Sequence, residues 1–283
     1  MKTIKSGPLR TAALLVVTGA LVLTSIFATQ AIGTADSSRS ASAARAAQPK
    51  PTVVLVHGAW ADSSGWAKVI SGLQGRGYQV LAPSIPLRGL REDSKYLEAF
   101  LRDRTSGPVV LVGHSYGGAV ITNAARSDKD VEALVYVNAF VPDKGDSILG
   151  LLDPEHRLDP ADLFDFVRYP GAKGDVDLYL KQAVFPGAIA NGVPAATATA
   201  LAAAQQPVTL SALTAESGKP AWKSVPSFYL LGTEDHIVPV GLQRAMAEHA
   251  GARITTVAAG HLPMITSPGS VEALVVKADR ATG

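Results

Sequence analysis

The residues best suited to chemistry in this chain lie at 113–118, where Gly113-His114-Ser115-Tyr116-Gly117-Gly118 follows the apolar run 109–112 and leads into a helix-like stretch. Set between strand and helix, Gly-x-Ser-x-Gly forms a nucleophile elbow: the glycines let neighbouring backbone approach in a strained turn. The turn lifts the Ser115 hydroxyl above the sheet edge, near a helix N-terminus that favours developing negative charge. A serine hydroxyl is a weak nucleophile at neutral pH and needs a base. His261 fits, in the loop Ala259-Gly260-His261-Leu262-Pro263 between the run 253–257 and the last helix-like segment. The other histidines fit less well: His57 and His114 belong to turns, His156 lies within the segment 143–224, His236 adjoins a candidate acid and His249 falls in a helix pattern. The acid is expected between nucleophile and base in the chain, after a strand, and Asp235 in Gly232-Thr233-Glu234-Asp235-His236 meets both conditions. Its carboxylate would hold the imidazole in the working tautomer and stabilise the imidazolium. Glu234, next door, is the residue with which it could be confused.

A tetrahedral intermediate also needs two preorganised donors for its oxyanion, one from the residue after the nucleophile and one from an earlier strand-to-helix loop. The N–H of Tyr116 supplies the first. The loop His57-Gly58-Ala59-Trp60, after the run 52–56, supplies the second through the N–H of Ala59. His57 reads as a brace for that loop, and Trp60 and Trp66 as packing residues.

To bring these groups together, the chain must place distant loops at one edge. Short β-branched runs at 52–56, 78–81, 109–112, 133–137, 227–231 and 253–257 show little polar alternation, which suits strands covered on both faces by helices. Helix patterns at 65–74, 92–104, 117–126, 242–249 and 270–277 lie between them, and that alternation argues for an α/β fold with a parallel sheet and right-handed crossovers. Residues 143–224 break the rhythm with aromatic groups among many Gly and Pro, and read as a mostly helical cap inserted between two strands. Within it, 195–204 (AATATALAAA) suits a helix because alanine has the highest intrinsic helix propensity.

Composition narrows the class further. With 283 residues, 47% hydrophobic and 18% charged, the chain fits one large globular domain. The net charge of +2 is misleading, because residues 1–49 hold five Lys or Arg and one acid, leaving 21 basic against 23 acidic residues in the rest. No basic stripe interleaved with aromatics is present, so a nucleic-acid partner finds no support. The absence of cysteine rules out disulfides, thiolate metal sites and a Cys nucleophile. Lys2, Lys5 and Arg10 precede an uncharged, apolar-rich stretch at 11–35, which reads as a secretory signal over 1–35. The alternative is an uncleaved anchor, since about 20 apolar residues would span a bilayer. Residues 36–50 are small, polar and low in complexity, and read as a disordered leader to a domain over 51–283. The expected location is therefore outside the cell or in its envelope, with no stable membrane partner once the signal is removed.

Four blocks, HGAWADSSGWAKV from His57, GHSYGG from Gly113, ALVYVNAFVPD from Ala133, and GTEDHIVP with GHLPM near the end, resemble the α/β-hydrolase superfamily in order and spacing. The similarity is greatest to the branch that holds plant methyl-ester esterases and hydroxynitrile lyases, with many bacterial esterases. The resemblance implies an α/β-hydrolase fold, a cap over an apolar pocket, and the roles already argued for Ser115, Asp235, His261, Ala59 and Tyr116. Lyases of this branch carry Thr and Lys where this chain has Gly58 and Leu262, so lyase chemistry loses support. The expectation is a serine esterase acting on a small-molecule ester through an acyl-serine intermediate, with no metal and no organic cofactor. Alternatives on the same groups are a lactonase, an amidase or a cofactor-free perhydrolase; one from another class is a non-catalytic binding protein of the same fold.

Overall fold

The computed structural model describes residues 50–153 and 159–283. The expected signal segment, the leader up to residue 49 and His156 lie outside the described residues. Among the described residues nine strands are formed: β1 (Thr52–Val56), β2 (Val80–Leu81), β3 (Val109–His114), β4 (Val131–Val137), β5 (Phe164–Val167), β6 (Asp177–Leu180), β7 (Val208–Thr209), β8 (Ser227–Gly232) and β9 (Arg253–Val257). Six of them make one sheet in the order β2-β1-β3-β4-β8-β9, and every pairing in it is parallel.

The apolar runs become strands because both faces of the sheet are covered. Every residue of β1, β3 and β8 is buried, and the helices Ala67–Gly75, Leu90–Arg104, Tyr116–Ala124, Val240–His249 and Pro268–Thr282 supply the covering layers. The second strand is shorter than the expected run 78–81. A turn with Gly77 at φ 80° directs the Tyr78 N–H to the Leu73 carbonyl at 3.1 Å, which withdraws Tyr78 from the ladder. Its hydroxyl instead donates to Asp279 of the last helix at 2.5 Å.

Parallel strands send their carboxyl ends to one edge, and the loops leaving β1, β3, β8 and β9 there carry residues 57–60, 115, 235 and 261 in turn. Crevices at that edge are where open α/β sheets bind ligands.

Between β4 and β8 the chain forms a cap of short helices, among them Ile148–Leu152, Phe185–Ala188, Ala195–Ala204 and Leu210–Thr214. These are joined by an antiparallel sheet in the order β5-β6-β7, which the sequence patterning did not suggest. Strands of four, four and two residues are too short to display a period. The cap is anchored over the sheet edge from one side by Trp60, whose Nε1–H donates to the Leu178 carbonyl at 2.9 Å while its ring stacks on Phe164 at 5.5 Å between centroids. Nearby, Arg88 pairs with Asp177, and the Thr209 N–H donates to the Leu87 carbonyl at 3.1 Å.

Candidate active site

Ser115 joins β3 to the helix Tyr116–Ala124 with φ 50° and ψ −124°. A left-handed non-glycine backbone costs about 1–3 kcal/mol and persists only where its surroundings enforce it. Here the Ser115 carbonyl accepts from the N–H groups of Gly118 at 2.9 Å and Phe140 at 3.1 Å. The loop after β1 is pressed against the turn: a Cβ on Gly117 would stand 2.6 Å from the His57 carbonyl oxygen, and one on Gly58 would stand 2.8 Å from Cβ of Ser115. Neither position can hold a larger residue without displacing backbone or the serine itself.

The structure brings Ser115, His261 and Asp235 together although 146 and 26 residues separate the paired positions. The Ser115 hydroxyl lies 3.0 Å from Nε2 of His261, and Nδ1–H of the same ring donates to Oδ2 of Asp235 at 2.9 Å. All three side chains are buried. Asp235 Oδ1 accepts from the N–H groups of Ile237 at 2.8 Å and Val238 at 3.0 Å. Burial alone would raise the Asp235 carboxyl, but the charge and hydrogen bond of His261, with those backbone donors, hold it below the ordinary carboxylate range. Glu234, beside it, is exposed and directs only its carbonyl toward the cap.

Three side chains around this line were not singled out from the sequence. Asn138, just past β4, is fully buried at φ 44°, and its Nδ2 donates both to Asp235 Oδ2 at 2.9 Å and to the Gly260 carbonyl at 3.0 Å. Among the described residues its Oδ1 is the one buried side-chain polar atom without a partner. Gln243, also fully buried, donates to the carbonyls of Val238 at 2.8 Å and Gly232 at 3.1 Å, which stiffens the acid loop. Asp93 accepts the Tyr116 hydroxyl at 2.7 Å and the Arg88 N–H at 3.2 Å. Burial pushes its carboxyl up, against the effect of those bonds. A polar residue closing an apolar run at the sheet edge was the available signal for Asn138; nothing local marked the other two.

Two further histidines, His114 and His57, brace the site. His114, the last residue of β3, donates Nε2–H to the His261 carbonyl at 2.8 Å, and burial together with the neighbouring His261 pushes its pKa well below the ordinary histidine value. His57 donates Nδ1–H to the Gly58 carbonyl and accepts the Ile85 N–H on Nε2, both at 2.9 Å, which braces the loop bearing Ala59.

Above Ser115 opens a cavity of about 630 Å³ whose walls include Ala59, Trp60, Tyr116, Phe140, Phe164 and Ile237. Tyr116 opens a helix, so its N–H has no intrahelical acceptor. Trp60 thus both packs the cap and faces the cavity, whereas Trp66 is buried away from it. Leu262 faces a separate space of about 70 Å³ beside Trp66 and His114.

Over 111 residues the chain is 40% identical to the carbendazim hydrolyzing esterase of Nocardioides sp., a match spanning 35% of this chain and 46%, less than half, of that protein. Methylesterase 8 of Arabidopsis thaliana is 27% identical over 253 residues, covering 77% of this chain and 86% of the relative. The crystal structure of polyneuridine aldehyde esterase superposes with a TM-score of 0.71 at 20% identity, over 81% of this chain and 99% of that one, a likeness of fold. Residues 53–274 match the alpha/beta hydrolase family. Since that match runs through all four loops at the sheet edge, the chain belongs to the alpha/beta hydrolase family.

Proposed function

We propose that the chain hydrolyses carboxylic esters of small molecules through an acyl-serine intermediate, with His261 as base and acid and Asp235 as its partner. His261 Nε2 takes the Ser115 proton as Oγ attacks the ester carbonyl carbon, and the carbonyl oxygen becomes an oxyanion held by the N–H groups of Tyr116 and Ala59. The imidazolium then gives its proton to the departing alkoxide, the C–O bond breaks and an acyl-Ser115 ester remains. Water, deprotonated by the same imidazole, attacks that ester and frees the acid and the serine. The observation that carries the reading is the unbroken line from Ser115 Oγ through His261 to Asp235, at 3.0 and 2.9 Å, at the wall of a largely apolar cavity.

Ester cleavage is favoured over cyanohydrin cleavage by two positions. A threonine at 58 would meet Cβ of Ser115, and Leu262 faces the smaller cavity and offers no cation beside the base. Ser115→Ala should therefore abolish both ester turnover and labelling by a fluorophosphonate, and the wild-type chain should release no cyanide from mandelonitrile above the buffer rate. Undiminished turnover by Ser115→Ala would remove the mechanism. Lactones, amides and peracids would engage the same groups, and a panel varying the leaving group separates them.

We also propose export of the chain on the strength of the basic start and apolar stretch at 11–35. N-terminal sequencing of protein from the culture medium should begin between residues 28 and 47, and recovery of the full chain in membranes alone would favour an anchor.

A further inference from the structure

Among the described residues, the hydrogen bonds from the cap to the two loops that carry His261 and Asp235 come from one short segment. Between the helices Phe185–Ala188 and Ala195–Ala204, Asn191 spans both loops: its Nδ2 donates to the Glu234 carbonyl at 2.7 Å, and its Oδ1 accepts from the His261 N–H at 3.3 Å. Four residues earlier the Gly187 carbonyl accepts Nδ1–H of His236 at 3.0 Å. The residues on either side of Asp235 are thus both tied to the cap. The packing leaves no slack, since a Cβ on Gly260 would stand 2.3 Å from the Asn191 carbonyl oxygen and 2.5 Å from its Nδ2. Asn138 makes the matching pair of bonds from the sheet, to Asp235 and to the Gly260 carbonyl. Two asparagines therefore bridge the same two loops, one from the sheet and one from the cap.

We infer that Asn191 is a positioning residue for the reaction: it fixes the spacing of the Asp235 and His261 loops, so that seating of the cap and alignment of the base are one event. The inference rests on the triad reading proposed above. Asn191 is not among the residues lining the cavity, so its effect travels through the loops and not through contact with substrate. A displacement of about 1 Å at a reacting group costs on the order of 100-fold in rate, and removing one of two bridges allows part of that.

The test uses the full chain with 4-nitrophenyl acetate. Asn191→Ala should lower kcat by about 10- to 100-fold while KM stays within about twofold, and fluorophosphonate labelling of Ser115 should slow by the same factor. Asn191→Asp keeps the acceptor for the His261 N–H and loses the donor to Glu234, so its kcat should fall between wild type and Asn191→Ala. Thr199→Ala, on the exposed face of the neighbouring cap helix, should leave both constants unchanged. All rates are read well below the lowest thermal midpoint of the set, so that folded enzymes are compared. An Asn191→Ala enzyme with undiminished kcat, or one whose KM rises while kcat holds, overturns the proposal. If the wild-type chain resists the fluorophosphonate altogether, it is the triad reading that fails.

Discussion

The sheet edge and the cap hold the same reacting groups by different means. On the sheet side the ties are buried: Asn138, Gln243 and His114 are all closed off from water, and their partners are a carboxylate or backbone carbonyls. On the cap side Asn191 is partly exposed and His236 is exposed, so water can replace either bond when it breaks. A buried donor removed leaves its acceptor unsatisfied at about 1–3 kcal/mol, whereas an exposed one exchanges with solvent at little cost. The sheet edge therefore sets whether the geometry exists, and the cap adjusts how tightly it is held.

The sharpest test of the sheet side is Asp235→Asn. An amide there cannot hold the His261 tautomer, so kcat should fall on the order of 10³- to 10⁴-fold with KM little changed, as steady-state ester hydrolysis would read. The same variant has a signature in stability. The native Asp235 carboxyl is held below its ordinary value of about 4, so its contribution is complete above that value and is lost as pH falls through the lower native one. The gap in urea midpoint between wild type and Asp235→Asn should accordingly be widest near neutrality and close in acid.

Asn138→Ala comes next. It removes both bonds to the two loops, and should lower kcat by roughly 100-fold and stability by about 1–3 kcal/mol, measured by urea unfolding. Gly58→Ala probes how tightly the first loop is pressed on the elbow. With Cβ only 2.8 Å from that of Ser115, it should cost about 10-fold in kcat/KM and slow fluorophosphonate labelling in parallel. His236→Phe should have the smallest effect, below about threefold in kcat, because it breaks one solvent-accessible bond to Gly187. Should His236→Phe cost as much as Asn138→Ala, the division between a load-carrying edge and an adjusting cap would be wrong.

The fold was legible where the information is local. All six apolar runs read from the sequence contributed strands to the central sheet. The four inner ones, β1, β3, β4 and β8, are covered on both faces and so must be apolar at consecutive positions, while the edge strands β2 and β9 are only partly covered. The elbow was legible for a similar reason: close approach of backbone imposes glycine on either side of Ser115. The cap was less so. Its helix at Ala195–Ala204 follows from alanine propensity, but its small sheet rests on pairings between segments too short to carry a pattern.

By itself the sequence determined where along the chain the six central strands lie, the sharp turn that carries Ser115, and the chain positions at which Asp235 and His261 leave the sheet, since each follows from residues adjacent to it. Only the tertiary structure decided that Asn138 meets Asp235 across 97 residues, that Asn191 meets Glu234 across 43 and His261 across 70, and that Tyr116 turns its hydroxyl to Asp93. A hydrogen bond between distant segments constrains one donor and one acceptor and imposes no period on either. It leaves no mark in a single sequence until the sheet brings its ends together.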